Sequence, residues 1–307
     1  MTTQQLRFSV VIPCYNQARF LPEAIASLIA QTDPRWEAII VDDGSSDETA
    51  VVAEALIAAH PDRQIRLIRQ ANQGLEAARN AGIALAQAPY IQPLDADDAL
   101  MPMMFAEAGA IFDRMPTVGF VYGDVQLMGS EQGRVANRPF DPQRMRVTCL
   151  LHTMSPFRRA AWTQVGGYRM PRGHGYEDWD FWLSLIEAGW QGYYLPITLA
   201  HYRRASTGML ERVRRQDLEL RALLIERHPR LYEHGFRQWA ARVRSPQWSA
   251  GWPLRDSYWP LAFLWYCLLI ARYAPRDLPS TALRPLYWRL PAHYQTGLRT
   301  LARRLLR

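Results

Sequence analysis

Three carboxylates in five residues, Leu94-Asp95-Ala96-Asp97-Asp98, follow a short apolar run and form the most chemically pointed stretch of the chain. Like charges crowded at a strand end repel one another, so a fold that gathers them there is suited to an external divalent cation holding a diphosphate. The alternative reading is a solvated Asp-rich turn. Two further acidic groups accompany the run: Asp42-Asp43, directly before Gly44-Ser45, and Glu177-Asp178, after Gly173-His174-Gly175. Cation binding requires oxygen ligands, and taking a proton from a hydroxyl requires a carboxylate within hydrogen-bonding reach. Acids at separate places in the chain can divide those tasks only if the fold brings them together.

The elements able to do so are legible as alternating apolar runs and helical patterns, the signature of parallel strands joined by crossover helices. Strands are expected at Phe8–Ile12, Trp36–Val41, Gln64–Arg69 and Tyr90–Leu94. Between them, Leu21, Ala24, Ile25, Leu28 and Ile29 mark one helix and Leu75–Ala86 another. Ser45 and Glu48 have capping-box spacing, which predicts a helix starting there and running towards His60. Farther on, a helix is expected over Met103–Met115, a strand at Val118–Tyr122, a turn at Gly166-Gly167 and a helix at Glu177–Glu187. Both of the first two acidic groups thus follow strands, where open α/β sheets bind ligands.

Composition narrows the classes. At 307 residues with 49% hydrophobic and 21% charged residues, the chain has ordinary globular usage. Cys14, Cys149 and Cys267 are too scattered for a disulfide framework or zinc cluster, which suits a reducing, cytoplasmic compartment. The apolar run at the amino terminus is too short for a signal peptide or spanning helix. All 36 basic residues are arginine. Residues 1–200 hold 16 Arg against 22 acids, whereas 201–307 hold 20 Arg against 7. An acidic body is therefore followed by a basic tail, and a soft domain boundary is expected at 204/205. Six of the eleven tryptophans lie in the tail, 15 uncharged residues run from Ser257 to Ala271, and 281–307 reads as a basic amphipathic helix with Leu298, Leu301, Leu305 and Leu306 against Arg299, Arg303, Arg304 and Arg307. These features predict either helices lying on an anionic membrane face or a helical lid on the body. No motif for reading nucleic acid accompanies the charge.

With these residues in view, the chain resembles the family 2 glycosyltransferases. The resemblance rests on Val10-Val11-Ile12-Pro13-Cys14-Tyr15-Asn16, Val41-Asp42-Asp43-Gly44-Ser45-Ser46-Asp47, Asn72-Gln73-Gly74-Leu75 with Ala78-Arg79-Asn80, the 94–98 run, and Gly166-Gly167-Tyr168 leading to Glu177-Asp178. It covers about residues 8–203. It implies a GT-A fold, a Rossmann-like and mostly parallel sheet flanked by helices over 1–204, with the Arg- and Trp-rich region 205–307 as a helical extension. It implies transfer of a sugar, with inversion, from a nucleotide diphosphate sugar, UDP favoured, assisted by Mn²⁺ or Mg²⁺. The acceptor would be a saccharide or lipid-linked hydroxyl in surface polysaccharide, lipopolysaccharide or glycolipid assembly at the inner face of the membrane. Nucleotidyl transfer, or nucleotide-sugar binding without turnover, is the alternative.

Within that frame Pro13 and Tyr15 offer a rim and an aromatic face for a base. Asp43 would accept from the base imide, with Gly44 permitting close backbone approach and Asp42 bracing the loop. Arg79 could bond a phosphate, steady the acids, or stand exposed on the surface. The resemblance assigns Asp95 to the ribose and sugar, and Asp97 to the metal. His201 could complete the metal shell or pack within a strand. Asp178, with Glu177 beside it, is the candidate base, the other reading being simple helix-end capping.

Overall fold

The computed structural model describes residues 5–171, 175–204, 217–244 and 267–274. Contacts divide the chain into two compact units, Met1–Phe140 with Leu150–Ser206, and Asp141–Cys149 with Thr207–Arg307.

The first unit is built on a sheet whose centre is β1 (Phe8–Cys14), every residue of which is buried. Parallel partners flank it: β2 (Trp36–Asp42) on one side, followed by β3 (Gln64–Arg69), and β4 (Tyr90–Pro93) on the other. Helices α1 (Leu21–Ile29), α2 (Thr49–Ala59) and α3 (Leu75–Ala84) make the crossovers. Burial on both faces explains why β1, β2 and β4 are largely apolar runs, whereas β3 at the sheet edge is partly exposed and mixes Ile and Leu with Arg and Gln.

The sheet then changes character. Its order is β3-β2-β1-β4-β8-β6-β9-β5, where β5 is Ala99–Leu100, β6 is Val118–Gly129, β8 is Phe157–Arg158 and β9 is Gln191–Arg204. β8 runs antiparallel to both β4 and β6, β9 runs parallel to β6, and β5 runs antiparallel to β9. A short β7 (Gly133–Val135) folds back on β6. Helices α4 (Met104–Arg114), α6 (Arg159–Val165) and α7 (Glu177–Glu187) complete this unit. The architecture is a mixed α/β sheet flanked by helices.

The described part of the second unit is helical: a single turn, α5 (Pro142–Met145), then α8 (Asp217–Arg227), α9 (His234–Arg244) and a segment at 267–273. Arg221 Nη1 donates to the Val147 carbonyl and Tyr232 Oη to the Arg146 carbonyl, tying 141–149 to these helices. Among the described residues no helix is long and apolar enough to cross a membrane. The 281–307 stretch and most of Ser257–Ala271 lie outside the described residues.

Two expectations are corrected. α2 starts at Thr49 rather than at Ser45, with Glu48 at its cap and no side-chain cap bond. The polar side chains before it are engaged elsewhere: Ser45 Oγ accepts from the Asn16 amide, and Asp47 accepts from the Ala18 and Thr49 amides. β6 extends to Gly129, far past Tyr122, because β9 pairs along its length through register shifts near Asp124.

Candidate active site

The carboxyl ends of β1, β2 and β4 converge on one rim of the sheet. At the end of β1, Pro13 and Cys14 lead to Tyr15, half exposed, and to Asn16, held at a φ of 56°. Asn16 Oδ1 accepts from the Ser46 amide at 2.8 Å, and the Cys14 carbonyl accepts from the Asp43 amide at 2.8 Å, so the loops after β1 and β2 are sewn together. Gly44 makes the turn at φ 75°, where a Cβ would stand 2.8 Å from the Asn72 amide nitrogen. Both the backbone conformation and the space demand glycine.

Asp43 is buried, and its carboxylate accepts from Gln70 Nε2 (2.7 Å), the Gln73 amide (2.8 Å) and the Gly74 amide (2.8 Å). It therefore fixes the loop that opens α3. Among the described residues Oδ2 has a single donor, leaving an acceptor position there. Asp42 accepts from the Ser45 amide at 2.9 Å, the bracing role expected of it. The contribution of Gln70 and the 72–74 backbone was not legible in the sequence, although Asn72-Gln73-Gly74 stood out as a motif.

Arg79 joins the two distant acidic groups. From α3, with only 1% of its side chain exposed, it donates through Nη2 to Asp95 at 2.9 Å and through Nη1 to Glu177 at 3.2 Å. Its guanidinium also lies 5.4 Å from the Tyr168 ring centroid. Of the roles considered from sequence, surface exposure is excluded and steadying the acids is the one the geometry favours. The next residue, Asn80, holds the turn before α7: its Oδ1 accepts from the Tyr168 amide at 3.0 Å and from Trp162 Nε1 at 3.1 Å, while its Nδ2 donates to the Tyr168 carbonyl at 2.8 Å. Gly166 and Gly167 both have φ 77°, and a Cβ on Gly167 would meet Asn80 Oδ1 at 2.6 Å. Tyr168 in turn stacks on Phe181 of α7, with centroids 4.4 Å apart.

Burial, then the neighbouring Glu177, pushes the Asp178 carboxyl up to about 7, with Arg79 opposing the rise. Asp178 and Glu177 lie in the first turn of α7, where the helix dipole favours ionised acids, and Asp178 Oδ1 accepts from the Trp179 amide; the cap residue Tyr176 makes no side-chain cap bond. A carboxyl poised near neutrality is also what a general base requires. Burial raises Asp97 as well, with Asp95 adding to the effect, and raises Asp98 well above the ordinary range.

Asp98 Oδ1 accepts from the Arg203 amide at 2.7 Å and Arg203 Nε donates to the Asp97 carbonyl at 2.8 Å, with the guanidinium continuing to Glu23. Arg203 thus clamps β9 to the acidic turn, a role its sequence position did not disclose. His201 lies opposite Ala99 in the β5–β9 ladder, two residues past Asp97. Among the described residues no three His, Cys, Asp or Glu side chains gather into a metal-binding set. Asp97, raised by burial and by the Asp95 charge, has the electrostatic need a divalent cation would meet, and Mg²⁺ or Mn²⁺ commonly takes one or two carboxylates with phosphate and water. The carboxylate chemistry at Asp97 fits such an ion.

Comparison with known proteins identifies the family and the fold. A family model described as glycosyl transferase family 2 matches residues 9–160. The putative glycosyltransferase EpsE of Bacillus subtilis (strain 168) is 31% identical over 215 residues, 67% of this chain and 76% of EpsE. Chondroitin synthase of Escherichia coli is 28% identical over 185 residues, 59% of this chain and 26% of the synthase. Staphylococcus aureus TarS 1-349, solved in complex with UDP-GlcNAc, superposes with a TM-score of 0.63 at 17% identity, covering 95% of this chain and 88% of that one. A mannosyltransferase from Pyrobaculum calidifontis, solved with GDP-Man and Mn²⁺, does so with a TM-score of 0.59 at 19% identity, covering 94% and 89%. At such identities the solved structures speak to the fold, which is of the GT-A type. The chain belongs to glycosyl transferase family 2 and is a glycosyltransferase.

Proposed function

We propose that the chain is an inverting, divalent-cation-dependent glycosyltransferase that moves a sugar from a UDP-sugar to a hydroxyl acceptor in surface polysaccharide, lipopolysaccharide or glycolipid assembly. The observation that carries this reading is Arg79, whose two ends hold Asp95 and Glu177 and so place the 95–98 turn and the 177–178 pair in one site. Tyr15 and Asp43 would receive the base, with Gly44 admitting it closely; Asp95 would bind the ribose and sugar, and Asp97 with His201 would hold the cation. Mg²⁺ or Mn²⁺, when bound there, supplies a fixed positive charge against the nucleoside diphosphate as it leaves. Asp178 accepts the proton of the attacking hydroxyl from the opposite side of the sugar, and a single displacement inverts the anomeric centre. The UDP-GlcNAc and GDP-Man ligands of the two solved relatives support the donor class, and the Mn²⁺ of one supports the ion. The net positive charge of 201–307 supports peripheral association with an anionic membrane, where lipid-linked acceptors are found.

Two variants test the division of labour. Asp97→Ala is expected to lose Mn²⁺-dependent UDP binding. Asp178→Asn is expected to retain that binding while transfer falls by about 10²- to 10⁴-fold, the usual worth of a positioned base. Full transfer in Asp178→Asn would remove the base from Asp178.

A further inference from the structure

β9 passes alongside the acidic turn and carries a second set of side chains that the donor reading does not use. Alternation along a strand puts Tyr202 and Arg204 on one face and Arg203 on the other. Arg203 is spent on Asp97, Asp98 and Glu23, and Arg79 on Asp95 and Glu177. Arg204 is different. It has no carboxylate partner among the described residues, its Nε is buried without a hydrogen bond, and its guanidinium lies over the Tyr202 ring, 5.1 Å from the centroid. The part-buried His152 ring packs against the same tyrosine at 5.4 Å. Its ionisation is pushed down to about 4 by burial, with Arg204 adding to the effect, so at neutral pH it adds no charge to the group. Gln92 of β4 donates through Nε2 to the Met154 carbonyl at 2.7 Å, and the β5–β9 ladder pairs Ala99 with His201, so the 152–154 loop and the end of β9 both adjoin the 95–98 turn.

A part-buried guanidinium left unpaired is costly unless an anion completes it, and a flat aromatic ring beside it suits the apolar face of a sugar. We infer that Tyr202, His152 and Arg204 form an acceptor subsite for a saccharide bearing an anionic group, phosphate or carboxylate, next to its reacting hydroxyl. This rests on the proposed transfer reaction and narrows its acceptor. Tyr202 stacks under the acceptor ring, His152 holds Tyr202 in place, and Arg204 pairs with the anion in a forked geometry that lysine cannot reproduce.

The test uses the full-length chain saturated with UDP and Mn²⁺. Calorimetry compares p-nitrophenyl β-glucuronide with p-nitrophenyl β-glucoside for the carboxylate, and glucose 1-phosphate with methyl glucoside for the phosphate. At least one anionic probe should bind about ten-fold tighter than its neutral counterpart, the worth of one charge-assisted pair. Arg204→Gln should abolish that preference, Arg204→Lys should keep part of it, and UDP affinity should stay within about two-fold in both, because Arg204 is placed on the acceptor rather than the diphosphate. Equal binding of charged and neutral probes by the wild type overturns the inference. So does a preference that survives in Arg204→Gln, or a loss of UDP affinity in its place. Absence of UDP binding by the wild type would instead strike the donor reading, and the acceptor subsite would fall with it.

Discussion

Asp178 owes its readiness to accept a proton to a balance of three influences: burial and Glu177 raise its carboxyl to about 7, and Arg79 restrains the rise. Ionised Asp178 is the active form in the proposed role, so kcat/KM should climb with pH through about 7 and level off above it, as read from a pH-rate profile. The same balance has a cost in stability. A carboxyl whose pKa is higher folded than unfolded stabilises the fold below its unfolded value, about 4, and that contribution is lost as pH rises towards the folded value. Asp178→Asn should therefore unfold at a higher temperature than wild type at pH 8, with the difference vanishing near pH 4. Identical melting of the two proteins at pH 8 would show that the buried charge is not strained. The acids themselves were legible as candidates in the sequence. What was not legible is that one arginine spans them, because Arg79 and Glu177 are 98 residues apart and neither shows from its neighbours where it points.

At the scale of elements, β1, β2, β4, α3 and α7 were legible because each is a largely apolar run or a clear helical period, β3 because its Ile and Leu recur at strand length between turn signals, and α7 starts and ends where the sequence places it. β5 and β8 were not, since two residues carry no period, and β9 was only glimpsed at its Leu199–Arg203 end because Pro196 and mixed polarity interrupt it. Capping was misjudged at Ser45 because tertiary partners in the 16–18 loop claimed the polar side chains. Away from the site, Asp33 joins the start of the sheet. It accepts from Arg7 at 2.9 Å and from Arg35 Nη2 at 2.7 Å, and the Arg35 bonds are the main reason its carboxyl is lowered to about 2. A lowered carboxyl contributes stability above its unfolded value, about 4, and loses it as pH falls towards the folded value. Asp33→Asn should cost about 2 kcal/mol in urea unfolding at pH 7 and much less at pH 2. An equal cost at both values would contradict the ion-pair account.

For the whole molecule, the two compact units do not divide the chain at a single point, since 141–149 belongs with 207–307. A boundary at 204/205 drawn from composition describes the charge change but not this return of the chain. The carbonyls of Arg146 and Val147 take their hydrogen bonds from Tyr232 and Arg221. A chain ending at residue 206 would leave these carbonyls without those donors, and limited proteolysis should cut it within 141–149 well before the full-length protein. Equal protection in both would show that the segment holds its own structure. The account as a whole turns on a donor bound between two acidic groups joined by Arg79, and the most direct measurement is a crystal structure with UDP and Mn²⁺. The account predicts an anomalous manganese peak at Asp97 beside the diphosphate, with Asp178 across the site from it. A nucleotide held elsewhere, or manganese bound away from the 95–98 turn, would contradict it.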